Sequence, residues 1–239
     1  MKKFKTILTS TVLLALSVIT LGQSADEIIN KYIQSIGGKD KLSKINSLYI
    51  ESKVEVMGME FGSKSTTLNG KGFKTEMDVM GSTNITCLTD KGGWSIKPMS
   101  GGTPEDMGEA QYNSSKDQIF IGSPFTILAE KGYKAEMVGK QSINNIMTYK
   151  LKVIAPDKSE SQYFFDSTTG YLIKAITKGE MKGEMVESVT TYSDYRSTDG
   201  YTIPFKTLTN LGGKMDIIST ITKVEINKPV AATIFAKPI

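Results

Sequence analysis

The chain has 239 residues, 29 lysines and arginines against 25 acids, and a formal net charge of +4. It has no histidine and one cysteine, which removes Ser-His-Asp and Cys-His catalysis, imidazole metal ligation and an internal disulfide from consideration. The small charge excess, with Arg196 as the sole arginine, also argues against nucleic acid, whose binding needs a clustered positive field.

Residues 1–25 have the layout of a secretory signal peptide. Lys2, Lys3 and Lys5 precede an apolar run from Ile7 to Leu21, and small and polar residues through Gly22, Ser24 and Ala25 follow it. The run is shorter than the roughly 20 residues of a membrane-spanning helix, and no second long apolar run follows. No cysteine stands directly after it to carry a lipid anchor, the single one being Cys87. The expectation is an exported, periplasmic chain without a transmembrane span. Losing these three lysines and no acid takes the net charge from +4 to +1.

A helix opens the segment 26–239. Ser24 and Glu27 have capping-box spacing, Ile28, Ile29, Tyr32, Ile33 and Ile36 fall on one stripe, and Gly37-Gly38 end it. If cleavage removes Ser24, Asp26 starts the helix instead. From Leu48 onward the pattern has period two. In 48–57, Leu48, Ile50, Val54 and Val56 face one way and Glu51, Lys53 and Glu55 the other, as in a strand wetted on one side. Further strands are expected at 60–68, 71–80, 82–89 and 93–97, joined by turns containing Gly70, Gly81 and Asp90-Lys91-Gly92-Gly93. The alternation lapses between 99 and 132. There Thr103-Pro104-Glu105-Asp106 has the form of a helix start, and 124–131, closed by Gly132, of a second short helix. Strands resume at 133–138, 147–155, 160–166, 171–178, 184–195, 201–211 and 214–226. No linker or like-charge block divides the chain, so a single domain over 26–239 is expected.

About eleven strands, at roughly 4.8 Å spacing and about 26 Å length, present a face of about 1,300 Å². Three short helices hide on the order of 500 Å² of it. The remainder exceeds the few hundred Å² of apolar surface that a soluble monomer leaves bare. The sheet must therefore fold on itself as a sandwich or curl into an open or closed barrel around the helices, and a barrel of that many strands leaves room for a ligand.

The apolar alternates that would line such a cavity are Val54, Val56, Phe73, Met77, Val79, Leu88, Trp94, Ile96, Leu151 and Val153. Core packing asks for the same residue types, so they line a ligand only where the helices do not reach them. Methionines at 57, 59, 77, 80, 181, 185 and 215 suit a deformable lining and an irregular core equally. Trp94, after a Gly-Gly turn, is either a rim residue or the anchor of that turn in the core. Cys87, between Thr86 and Leu88, has the setting of a small buried hydrophobe. Asp194 and Asp199 sit in a strand-to-turn motif where aspartate caps turns, and Glu180, Glu184 and Glu187 cluster only in sequence. Gly70-Lys71-Gly72-Phe73-Lys74-Thr75 lacks the spacing of a phosphate loop and precedes a strand. No enzyme activity, cofactor or metal is expected.

Several motifs stand in a telling order: Ile29-x-x-Tyr32-Ile33 with Ile36-Gly37-Gly38; Gly93-Trp94-Ser95-Ile96-Lys97-Pro98; Tyr192-Ser193-Asp194-Tyr195 with Asp199-Gly200-Tyr201-Thr202-Ile203-Pro204; and Ile226-Asn227-x-Pro229 with Phe235. Their order and spacing resemble the LolA/LolB-like outer-membrane lipoprotein-sorting superfamily over nearly all of 26–239. The resemblance implies a mainly β (α+β) fold. A single antiparallel sheet of about eleven strands would curl into an incomplete barrel around an N-terminal helix and short lid helices, with an apolar interior for acyl chains. It implies a periplasmic protein whose partner is a lipid or lipoprotein acyl chain. The lipoprotein carriers are associated with an inward arginine that latches the lid, whereas Arg196 follows a late strand, so lipoprotein transport does not follow from the fold. The alternative is an envelope interaction module with a solidly packed sheet and a protein partner.

Overall fold

The computed structural model describes residues 23–98, 101–122, 124–181 and 183–238, so all but the last three residues of the expected signal peptide lie outside the described residues. Helix α1 (Ala25–Ser35) starts as its sequence dictates. The Glu27 N–H donates to the Ser24 hydroxyl at 3.2 Å, and the Ser24 N–H donates to the Glu27 carboxylate at 2.9 Å. These two bonds satisfy donors that the first turn would otherwise leave unpaired. Ile28, Ile29 and Ile33 form its buried stripe. At its exit Gly37 has φ +135°, and a Cβ there would stand 2.5 Å from the Gly200 carbonyl oxygen. Only glycine lets the helix end press so closely on that turn, where the Thr202 N–H donates to the Ile36 carbonyl at 2.9 Å.

After a one-turn helix α2 (Lys39–Leu42) come β1 (Ser47–Val56), β2 (Met59–Leu68), β3 (Gly72–Val79), β4 (Ser82–Thr89), β5 (Gly93–Ile96) and β6 (Pro104–Asp106). Helix α3 (Glu109–Ser115), a 3-10 turn (Lys116–Ile119) and α4 (Leu128–Lys131) follow. The chain then forms β7 (Lys134–Ile143), β8 (Ile146–Ile154), β9 (Glu160–Asp166), β10 (Leu172–Met181), β11 (Glu184–Thr198), β12 (Tyr201–Leu211) and β13 (Met215–Ile226), and closes on a 3-10 turn (Ala232–Phe235). All thirteen strands share one antiparallel sheet, in the order β6-β5-β4-β3-β2-β1-β13-β12-β11-β10-β9-β8-β7. Two meanders join where β1 pairs with β13, Leu48 opposite Ile226 and Val56 opposite Ile217. Strands β6 and β7 are the two edges, so the sheet curls without closing.

Three single-residue bulges help the curl, because each extra residue bends its strand and increases local twist. They fall at Val138 in β7, Ile173 in β10 and Thr222 in β13. Each also shifts the side-chain phase. Leu172 and Ala175, three apart, share the inner face, as do Ile221 and Val224.

The single open antiparallel sheet is as expected, with thirteen strands where about eleven were anticipated. Two sequence expectations are corrected here. Thr103-Pro104-Glu105-Asp106 does not start a helix: Pro104–Asp106 is edge strand β6 on β5, and α3 begins only after Gly108. Proline lacks an N–H and fits an edge strand as readily as a helix start. Helix α4 is shorter than the expected 124–131, although Gly132 ends it at φ 73° as anticipated.

The inner face carries the main core. Ile28, Ile29, Ile33 and Ile36 pack against Leu151, Val153, Tyr163, Phe165, Leu172 and Ala175 of the sheet. A second cluster covers the opposite face, where Cys87 and Trp94 pair across β4 and β5 beneath Phe235. The Trp94 indole N–H donates to the Phe235 carbonyl at 2.9 Å, and Gly72 leaves the space its ring occupies: a Cβ there would be 2.7 Å from Phe235 Cγ. Burial pushes the Cys87 thiol up to about 11, so it stays a neutral hydrophobe. Phe235→Ala is expected to cost about 3 kcal/mol in urea denaturation. It should also red-shift the emission of Trp94, because water then reaches the indole.

Candidate ligand groove

The segment 107–133 leaves one sheet edge and returns at the other, crossing the concave face. Its 3-10 turn packs on β3 and β4, while α3 reaches β10. Side chains pin the crossing. Tyr112 donates to the Thr89 carbonyl at 2.9 Å, the Ile121 N–H donates to Asn69 Oδ1 at 3.0 Å, and the Tyr133 hydroxyl donates to Asp117. Two hollows remain. One of about 860 Å³ lies between α1, α2 and residues 120–130, and is lined by Ile29, Ile33, Leu42, Phe125, Ile127 and Leu128 with Asp26, Lys39 and Asp40. The other, of about 930 Å³, is a groove between α3 and the inner face of β9 to β12.

This groove has an aromatic floor. Tyr32 and Phe125 meet edge-to-face at 5.2 Å, Tyr32 and Phe165 at 5.3 Å, and Phe125 and Tyr163 at 4.9 Å. Tyr32, Tyr133, Tyr163, Tyr192 and Tyr195 all line it, beside Leu172, Ala175 and Val186 and the hydroxyl residues Thr177, Ser188 and Thr190. Burial is the main cause that raises the pKa of Tyr32, Tyr163, Tyr192 and Tyr195. Tyr32 is pushed further by the other three and by Tyr201, which marks these hydroxyls as neighbours. At neutral pH they are uncharged donors and acceptors.

The groove opens at one end of the sheet. Lys178, Gly179, Glu180 and Met185 bring the β10–β11 hairpin to it, and Asp157 and Ser159 the β8–β9 turn. In this meander every second turn lies at the same end, about 10 Å apart. The β1–β2 and β3–β4 turns therefore share that rim. Met57, Met59, Met80 and Met185 on its tips are 81%, 43%, 82% and 68% exposed. Met57 and Met80 hold φ near +50°, a conformation that asks for glycine or asparagine and not methionine.

The ten apolar residues expected from sequence take a different place. Val54, Val56, Phe73, Met77, Val79, Leu88, Leu151 and Val153 share the inner face by strand register. Trp94 and Ile96 face the other way, under the C-terminal segment, so Trp94 anchors its turn. Period two names two faces without saying which is inner, and β4 is apolar on both, with Leu88 on one and Cys87 and Ile85 on the other. None of the ten lines either hollow. Leu88, Leu151 and Val153 are fully packed core. The groove is instead walled by the alternates Ser188, Thr190 and Tyr192, which a pattern search assigns to water. Tyr32, Tyr192 and Tyr195 stand in motifs that carry the family resemblance, and the sequence did not mark them as lining residues.

Arg196 lies outside the groove. It forms an exposed pair with Asp194 at 2.6 Å and stands over the Phe205 ring at 4.7 Å. It latches no lid helix.

One open antiparallel sheet, curled into a half-barrel with short helices crossing its concave side, defines the fold class. This chain has the LolA-like fold. A LolA superfamily protein from Nitrosomonas europaea superposes with TM-score 0.62 at 13% identity, covering 90% of this chain and 99% of that one. A DUF1329 family protein from Desulfovibrio piger gives 0.60 at 13% identity, with 89% and 97% covered. A protein domain from Vibrio parahaemolyticus named for outer membrane lipoprotein sorting gives 0.58 at 15% identity, with 88% and 95% covered. No family model matches the chain, and no curated protein does.

Proposed function

We propose that this protein is a non-enzymatic carrier of the bacterial envelope that shelters the apolar part of a lipid or lipoprotein. The observation that carries this reading is the groove of about 930 Å³ on the concave face, roofed by α3 and open at one rim. Ligand sites span roughly 300–1,000 Å³. Burying an acyl chain there supplies about 0.8 kcal/mol per methylene. Met185 at the mouth is 68% exposed and presents a soft apolar surface to an entering tail. The expected signal peptide and a single exported unit over 26–239 fit a periplasmic location. The LolA-like fold of the Vibrio parahaemolyticus domain is consistent with such a role. Among the described residues no helix is long and apolar enough to cross a membrane.

Solvent extraction of the purified protein, followed by mass spectrometry, should release a tail-bearing lipid. The extracted protein should then take up Nile red saturably and lose it to added monoacylglycerol. An empty extract together with no saturable uptake sinks the carrier reading, and a protein captured by pull-down would then favour an envelope interaction module.

A further inference from the structure

The geometry points to a groove that selects the head of its ligand as well as its tail: an uncharged amphiphile whose head offers ester, amide or hydroxyl acceptors, in preference to a carboxylate or phosphate. This rests on the carrier reading and goes beyond it. Two kinds of observation carry it, the donors on the wall and the charges around it.

The donors are neutral hydroxyls. No described residue pairs with the hydroxyls of Tyr32, Tyr192, Thr177 or Ser188, whereas Thr190 is already bonded to Thr209 at 2.9 Å and Tyr195 to the Leu172 carbonyl at 2.7 Å. Burial and mutual proximity keep the tyrosines protonated, so they donate to a carbonyl or ether oxygen without adding charge.

The lining charges have the wrong sign for an anion. Among the described residues that line the groove, Asp117, Asp157 and Glu180 stand against Lys178, with Lys116 close enough to Asp157 to help lower its pKa, and Arg196 is held outside by Asp194. A carboxylate entering the groove would shed water, meet a net negative lining and find, among the described residues, no buried cation. An ester or amide sheds less and recovers it by accepting from tyrosine.

The test compares a monoacylglycerol, a fatty acid and a monoacyl phosphate of equal chain length, each below its micelle concentration, by displacement of Nile red. At about pH 8 the monoacylglycerol should bind roughly tenfold tighter than either anion. The gap to the fatty acid should close as pH falls and its carboxylate protonates, while the phosphate gap persists. Tyr192→Phe and Tyr32→Phe keep the rings, and unchanged Trp94 emission will report an intact fold. Each should weaken the monoacylglycerol roughly fivefold and the fatty acid little. Glu180→Lys should raise fatty-acid affinity. Equal affinity for fatty acid and monoacylglycerol at about pH 8 overturns the head preference and leaves the carrier reading standing. Failure of every tail to bind at any pH removes both.

Discussion

Phe165→Ala is expected to destabilise the protein by about 3–5 kcal/mol and to abolish ligand uptake at the same time. Phe165 is 0% exposed and is the point where the sheet, α1 and the crossing segment meet. Its ring lies 5.3 Å from Tyr32 on α1 and 5.1 Å from Phe125 on the crossing segment, both edge-to-face. Such contacts add about 0.5–1.5 kcal/mol each to the burial of the ring itself. Removing it leaves a void directly below two walls of the groove, and Tyr32 and Phe125 lose the surface that sets their rotamers. The adjacent Phe164 is an internal control. It sits on the opposite face between the Lys150 and Lys174 ammonium groups, 5.5 and 5.6 Å from its centroid, and touches no part of the groove. Phe164→Ala should lower stability while leaving Nile red affinity near wild type. Urea denaturation and Nile red titration of both variants decide the matter. If Phe165→Ala loses less than about 1 kcal/mol, or both variants lose uptake alike, the aromatic floor does not hold the site.

That pairing of neighbours shows what the sequence could and could not tell. Strands β1 to β5 and β7 to β13 were visible because Leu48, Ile50, Val54 and Val56, and their counterparts on other strands, repeat every second residue. The α1 cap and its glycine exit were equally visible, since they depend on local chemistry. The phase slips at Val138, Ile173 and Thr222 were not. A bulge is one residue long and leaves no compositional mark, yet each one exchanges the faces of the strand beyond it. The groove was missed for a related reason. Its sheet wall reads Ser188, Thr190, Tyr192, a polar set that alternation assigns to solvent, and only the fold over it by α3 makes it interior. Of the ten apolar alternates expected to line a cavity, only Leu151 and Val153 fall in the core that α1 fills. What period two finds is burial, and a site with hydroxyls on its wall is the burial it overlooks.

The same tyrosines predict a steep loss of stability in alkali. Tyr32, Tyr163, Tyr192, Tyr195 and Tyr201 all have raised pKa values in the folded protein, mainly through burial, with Tyr201 pushed up to about 12. In the unfolded chain a tyrosine titrates near about 10. Below that pH both states keep the proton, and the stability these groups contribute is fully present. Above it the unfolded chain releases protons that the folded chain retains, so stability falls with rising pH until each folded pKa is passed. The loss is about 1.4 kcal/mol per pH unit for each tyrosine, or about 7 kcal/mol per unit while all five are engaged. A domain has only about 5–15 kcal/mol to lose. Unfolding followed by Trp94 emission, which reports from the opposite face, should therefore have its midpoint within about two pH units above 10, and tyrosinate absorbance should rise with it. In Tyr192→Phe the slope should be shallower by about 1.4 kcal/mol per unit, because one linked proton is gone. Bound monoacylglycerol should raise the midpoint, since its head occupies the hydroxyls that must otherwise ionise beside a lining with more acids than cations among the described residues. Tyrosines that titrate near 10 in a protein that stays folded would show that water already fills the groove, and the uncharged wall on which ligand selection depends would be absent.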